Sequence, residues 1–163
     1  MKKLTLLFSV LFLIVLLNNS IAEKFIFPGE NPVFSIVFPD DWEIELDAEM
    51  LHATPEDESI YLGLWALGAE SVDDALDALD EVVGEAVADA EYDEPGQLKI
   101  NDIKIFYVDG KGTDDEGDNV AFSVALFSPD GETVFIVFTY GTPQEEKLHN
   151  EEWDGIIQSI KAK

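Results

Sequence analysis

Val120-Ala121-Phe122-Ser123-Val124-Ala125-Leu126-Phe127 and Thr133-Val134-Phe135-Ile136-Val137-Phe138-Thr139-Tyr140, joined across Ser128-Pro129-Asp130-Gly131, decide the fold of this chain. The Pro-Asp-Gly order sets a tight turn, so the two runs read as a hairpin. In the first run, Val120, Phe122, Val124 and Leu126 share one face, and Ala121, Ser123, Ala125 and Phe127 share the other. In the second, Phe135 and Val137 oppose Val134, Ile136, Phe138 and Tyr140. Neither strand has a charged face. A sheet with one side in water alternates apolar with polar residues, so these strands need cover above and below.

Outward from the hairpin, residues 33–38, 42–46, 51–54, 60–67, 97–100 and 103–109 read as further strands, with Pro39-Asp40-Asp41 separating the first two. The stretch holding Pro28, Gly29 and Pro32 reads as an extended lead-in, and residues 110–119 as an acidic loop. Residues 71–90 carry the clearest helical period: Val72, Leu76, Leu79, Val83, Ala86, Val87 and Ala90. Ser71 stands at the N-cap, with Asp74 at capping-box spacing. On the opposite side Asp73, Asp77, Glu81, Glu85 and Asp89 form an acidic file that opposes the helix by about 1–2 kcal/mol in all. Burying each Val or Leu returns roughly 1.5–3 kcal/mol, so packing decides the matter. Thr142-Pro143, with Glu145 at capping-box spacing, opens a helical turn whose pattern resets at Asn150, where Trp153, Ile156, Ile157 and Ile160 begin a second stripe. Two amphipathic helices and two apolar sheet faces give the expected fold, α+β, with an antiparallel sheet between helices as a three-layer α/β/α sandwich.

Of the 163 residues, 35 are Asp or Glu against nine Lys, with no Arg and no Cys, a net charge of −26. Nucleic acid and anionic membrane surfaces are poor partners for such a chain. Disulfides, zinc-thiolate centres and cysteine nucleophiles lack their sulfur. The start is a leader in form: Met1-Lys2-Lys3, an apolar run of 14 residues from Leu4 to Leu17, then Asn18-Asn19-Ser20-Ile21-Ala22. At 1.5 Å per residue the run reaches about 21 Å, short of a bilayer core of roughly 30 Å. Residues 1–22 are therefore expected to be a signal peptide cut after Ala22, leaving residues 23–163 as one exported domain, periplasmic or extracellular, with no membrane span and no lipid anchor. The remaining chain would hold seven Lys against 35 acids, or −28.

Phe34-Ser35-Ile36-Val37-Phe38-Pro39-Asp40-Asp41-Trp42-Glu43-Ile44, a strand, a Pro, a two-residue turn and a Trp opening the next strand, resembles the start of PsbP-like domains. Ile156-Ile157-Gln158-Ser159-Ile160-Lys161 is similar to their final helix. The resemblance implies a non-enzymatic exported accessory or binding domain of the bacterial envelope, with a protein partner and no cofactor. The motifs that carry it are packing motifs, so Trp42 and the Ile stripe are expected to fill the core. No catalytic, cofactor-binding or metal-binding residue carries over from it.

Two other function classes stay open on the residues. A small carboxylate-dependent hydrolase could draw on many acids, and His52 or His149 could join a Ser-His-Asp assembly, although no Gly-x-Ser-x-Gly elbow accompanies either. A calcium-dependent binding module could use the acidic loop 113–119, where Asp114, Glu116 and Asp118 alternate as oxygen ligands do. Counted from Asp114, however, the EF-hand positions for Gly and Glu hold Asn119 and Ala125. The crowding of Asp89, Glu91, Asp93 and Glu94 near the expected helix end opposes the macrodipole, which suits a saline compartment in which acidity serves solubility.

Overall fold

A computed structural model describes residues 22–29, 31–47 and 50–163. Residues 1–21 of the expected signal peptide lie outside the described residues. In chain order the elements are β1 (Glu23–Phe27), β2 (Phe34–Phe38), β3 (Trp42–Asp47), β4 (Met50–Pro55), β5 (Ile60–Leu67), α1 (Val72–Asp77), α2 (Leu79–Val83), β6 (Ala88–Tyr92), β7 (Gly96–Ile100), β8 (Ile103–Thr113), β9 (Asn119–Phe127), β10 (Val134–Gly141), α3 (Pro143–Gln158) and β11 (Lys161–Ala162). The hairpin forms as its turn requires. β9 and β10 pair antiparallel from Phe127↔Phe135 to Ala121↔Gly141, and Asp130 Oδ1 accepts from the amides of Glu132 and Thr133.

An eight-stranded antiparallel sheet grows from this hairpin in the order β3-β4-β5-β10-β9-β8-β6, with β7 also paired to β8. A second sheet, β1-β2-β11, is separate. Both faces of the central strands are buried, as their composition demands, but the cover differs from the expected one. On one face Ala125, Phe127, Phe135 and Val137 join Leu62 and Leu64 beneath the small sheet (Phe27, Phe34, Ile36, Phe38) and α3 (Ile156, Ile157). On the other, Phe122, Val124, Leu126, Val134, Ile136 and Phe138 meet Ala75, Leu79 and Val83 of the short α1 and α2. The three-layer α/β/α sandwich is therefore incorrect. Half of the described residues are strand and 19% helix, and a β-sheet supplies much of one cover. The hydrophobic pattern requires burial; it does not require that a helix provide it.

The expected helix over 71–90 also ends early. Ser71 caps it as read, its Oγ accepting the Asp74 amide, but helical structure stops at Val83 and Ala88–Tyr92 forms an edge strand on β8. Gly112 permits that approach: a Cβ there would fall 2.4 Å from Val87 Cγ1 and 2.6 Å from the Ala88 carbonyl. The acidic residues 89–94 thus lie on and after a strand, and the macrodipole argument built on them does not apply. The loop expected over 110–119 is shorter, since β8 runs to Thr113 and β9 begins at Asn119. α3 is continuous, with no reset at Asn150. Its capping box at Thr142 and Glu145 is present, with the Thr142 amide donating to Glu145 Oε2 and the Glu145 amide to Thr142 Oγ1. Trp42, Ile156, Ile157 and Ile160 are buried, as the resemblance implied.

Candidate functional site

Strand alternation and helix spacing build one cleft together. On β8, Ile105, Tyr107 and Asp109 point to the α3 side, and on α3, Asn150, Trp153 and Ile157 lie along the facing side. With Leu98 and Ile100 of β7 they enclose about 650 Å³, apolar at the floor and rimmed by polar groups. Asn101-Asp102, both with positive φ (48° and 69°), form the two-residue turn joining β7 to β8. From this turn Asn101 Nδ2 donates to the carbonyls of Gln158 (3.2 Å) and Ile160 (2.8 Å), which fastens the hairpin to the end of α3 and closes one end of the cleft.

Past the other end a polar row crosses the sheet. Asp109, Ser123 and Thr139 are in register on β8, β9 and β10, and Ser123 Oγ donates to Asp109 Oδ1 at 2.7 Å. Glu146 of α3, one turn before Asn150, lies over this row. Its Oε1 and the Oγ1 of Thr139 are buried, and neither makes a hydrogen bond of good geometry although the two side chains are neighbours. Burial raises the Glu146 carboxyl to about 7; Thr139 nearby opposes the rise and the Asp109 charge adds to it. A carboxyl so placed exchanges its proton near neutrality. The alternation of β9 and β10 marks Ser123 and Thr139 as polar interruptions in apolar strands, which is the signal for this row. Glu146 shares the spacing of Asn150, Trp153 and Ile157, but a helix broken at 150 hides it.

His149 stands in a separate network between the β4–β5 loop and α3. Its Nε2 lies 2.8 Å from Ser59 Oγ and its Nδ1 2.6 Å from Glu152 Oε2, an order resembling a Ser-His-acid relay. The proton count gives a different meaning. Ser59 Oγ donates to Asp57 Oδ1 at 2.5 Å, which uses its single hydrogen, so Nε2 must donate to Ser59. Nδ1 must donate as well, because its partner is a carboxylate. The arrangement is complete only with an imidazolium, which holds no lone pair to take a proton from serine. Burial alone favours the neutral ring, but the Glu152 hydrogen bond together with the charges of Glu152 and Asp57 outweighs it, and the His149 pKa lies above its ordinary value. Asp57 is lowered by the Ser59 hydroxyl and amide. Trp42 Nε1 completes the group by donating to Glu152 Oε2 at 3.2 Å.

His52 belongs elsewhere, its Nδ1 2.6 Å from the Tyr61 hydroxyl on β5, beside Glu43, Glu45 and Asp47 on the edge strand. In the loop at 113–119, Asp114 Oδ1 accepts the amides of Glu116 and Asp118 at 3.0 and 2.8 Å, and Gly117 takes φ 88°. That carboxylate is spent on shaping the turn between β8 and β9. Among the described residues no group of three or more His, Cys, Asp or Glu is arranged to hold a metal ion, and no helix is long and apolar enough to cross a membrane.

No family model and no curated protein matches the sequence. Solved structures do. Cyanobacterial PsbP (CyanoP) from Synechocystis sp. PCC 6803 superposes with a TM-score of 0.62 at 8% identity, over 87% of this chain and 92% of that one. LpqN, involved in cell envelope biogenesis of Mycobacterium tuberculosis, gives 0.58 at 8% identity, over 86% and 91%. The Pseudomonas aeruginosa protein of unknown function PA94 gives 0.53 at 11% identity, over 85% and 94%. At such identities the likeness is one of fold, and the fold is PsbP-like.

Proposed function

We propose that this chain is a non-catalytic accessory or binding protein of the bacterial envelope, a small exported PsbP-like protein that holds an apolar segment of a protein partner in the cleft between α3 and the β7–β8 hairpin. The observation carrying this reading is the cleft itself: about 650 Å³ with an apolar floor, fastened at one end by Asn101, on a rigid sheet. Tyr107, 39% exposed beside it, offers the aromatic anchor that protein interfaces favour. The leader-like residues 1–22 and the fold shared with LpqN support an exported location. The imidazolium geometry at His149 favours binding over hydrolysis, since a ring that donates from both nitrogens cannot take the proton of Ser59.

The test is crosslinking in the intact host envelope followed by co-purification, with wild type beside Tyr107→Glu. A specific protein partner captured by wild type and lost from the variant is expected. Capture unaffected by Tyr107→Glu moves the interface away from this cleft. A protein recovered wholly from the cytoplasm, or turnover of an ester or glycoside substrate abolished by Ser59→Ala or Glu152→Gln, overturns the reading.

A further inference from the structure

Tyr61, Gly63 and Trp65 alternate on one face of β5, and their partners on β10 put Tyr140 opposite Tyr61 and Phe138 opposite Gly63. This face belongs to the α1–α2 side of the sheet. Because helical structure stops at Val83, the aromatic residues near Gly63 are only partly covered: Phe138 is buried, while Tyr61, Trp65 and Tyr140 are half-buried. Gly63 lets the two side chains close over the strand between them, since a Cβ there would come within 2.9 Å of the Tyr61 hydroxyl and 3.0 Å of the Trp65 ring. Tyr61 and Tyr140 lie 5.6 Å apart at a tilt, and Tyr140 stacks on Phe138 at 5.7 Å. The resulting cleft of about 400 Å³ is closed on the helix side by Glu81 and Glu85.

We infer that this aromatic cleft is a binding site for a free, small quaternary ammonium compound of the choline type. Aromatic faces present negative potential and attract a diffuse cation within about 6 Å of the ring centre. Among the described residues no Lys stands over these rings. Lys104 over Phe106 is the cation–ring contact among the described residues, and no Lys or Arg stands between Lys24 and Lys99. Methylated nitrogen suits the ring faces, which offer diffuse negative potential and no hydrogen-bond acceptor, better than –NH₃⁺, which would be drawn to the carboxylates of the rim. Glu81 and Glu85 complement the positive charge and disfavour any ligand with an anion next to its nitrogen, which sets glycine betaine and the phosphate-linked choline of a lipid surface below free choline. This site is separate from the α3 cleft and stands whether or not that cleft holds a protein partner.

The experiment is a titration of the purified protein with choline chloride to tens of millimolar, followed through the Trp65 indole N–H resonance against matched NaCl. Two controls accompany it: 3,3-dimethylbutanol, the uncharged isostere of choline, and phosphatidylcholine vesicles. Saturable binding of choline and of tetramethylammonium is expected, with glycine betaine weaker and the neutral isostere weaker by about tenfold or more. Trp65→Leu keeps apolar bulk and is expected to weaken choline about tenfold, whereas Trp65→Phe restores much of it. Glu81→Gln with Glu85→Gln, both on the exposed rim, is expected to weaken choline several-fold without unfolding the chain. Equal binding of the neutral isostere, a response matched by NaCl, no saturation by choline, or binding confined to vesicles would each overturn the inference.

Discussion

Glu146→Gln is expected to stabilise this protein above neutral pH and to do little in acid. The carboxyl stands at about 7 in the folded chain against an ordinary 4.5. The folded state therefore holds the proton more tightly than the unfolded state does. That contribution is fully present below about pH 4.5 and is lost as pH rises through about 7. Above it, the folded chain carries an ionised, poorly partnered carboxylate beside Asp109. A difference of about 2.5 pKa units at 1.36 kcal/mol each is ~3.4 kcal/mol, and partial exposure of the side chain brings the expectation to roughly 2–3 kcal/mol. Glutamine has nearly the same shape, never ionises, and brings an amide that can donate to the unpartnered Thr139 Oγ1. The assay is urea unfolding of both proteins at about pH 4 and about pH 8.5, comparing midpoints at constant slope. The variant should gain at the higher pH and match wild type within about 0.5 kcal/mol at the lower. A difference of equal size at both values, or a loss at the higher one, refutes the buried-carboxyl account.

His149→Gln tests the neighbouring network. A raised histidine pKa contributes stability that is fully present below the ordinary value near 6.5 and disappears as pH rises through the raised one, so the variant should trail wild type by about 1 kcal/mol in acid and converge with it in alkali. A deficit that does not vary with pH removes the imidazolium. Calcium at millimolar concentration should leave the melting temperature unchanged at physiological salt, because Asp114 already serves the amides of its own loop; a saturable rise contradicts that. Melting temperature should climb as NaCl goes from low to seawater strength, since the screening length contracts from about 10 Å at 0.1 M toward about 3 Å at 1 M around a chain of net charge −26. A fall would mean that specific ion pairs with the nine Lys outweigh the repulsion among the 35 acids. Lys99–Asp102 and Lys111–Glu91 are exposed pairs on the flanks of the sheet.

What the sequence discloses about this fold is what local patterns can carry. The apolar alternation at 60–67, 103–109, 120–127 and 133–140 places four neighbouring strands, and Ser71 and Thr142 begin their helices because side-chain caps act within four residues. Elements fixed by distant partners are less legible. Glu23–Phe27 lies before two prolines and reads as a lead-in, yet β2 supplies all five of its pairing partners. Val83, Ala86, Val87 and Ala90 fit a helical period, but Ala88–Tyr92 is held as an edge strand by β8 and by the missing side chain at Gly112. The candidate site divides in the same way. Trp153 and Ile157 follow from helix spacing, whereas the register that aligns Asp109, Ser123 and Thr139 under Glu146 depends on three strand pairings no single segment encodes.

The error about the covering layers has a geometric cause that links both clefts. Six spacings of about 4.8 Å make the sheet about 29 Å wide, while one helix with its side chains covers a strip of about 10–12 Å. A single helix on each face could never have sealed it. On one face the chain adds β1, β2 and β11 beside α3, and the α3 cleft opens where that helix meets the outlying β7–β8 hairpin. On the other, α1 and α2 together hold eleven residues, about 16 Å of helix, and the aromatic wall of β5 and β10 extends past them. Apolar surface left over by incomplete cover is costly unless it is used, so the two seams are where a ligand or partner would bind at least expense to the fold. Extending α2 over Tyr61 and Trp65 by a designed helical insertion at Gly84 would separate the two roles: it should raise stability while closing the aromatic cleft to choline, and leave partner capture at Tyr107 intact.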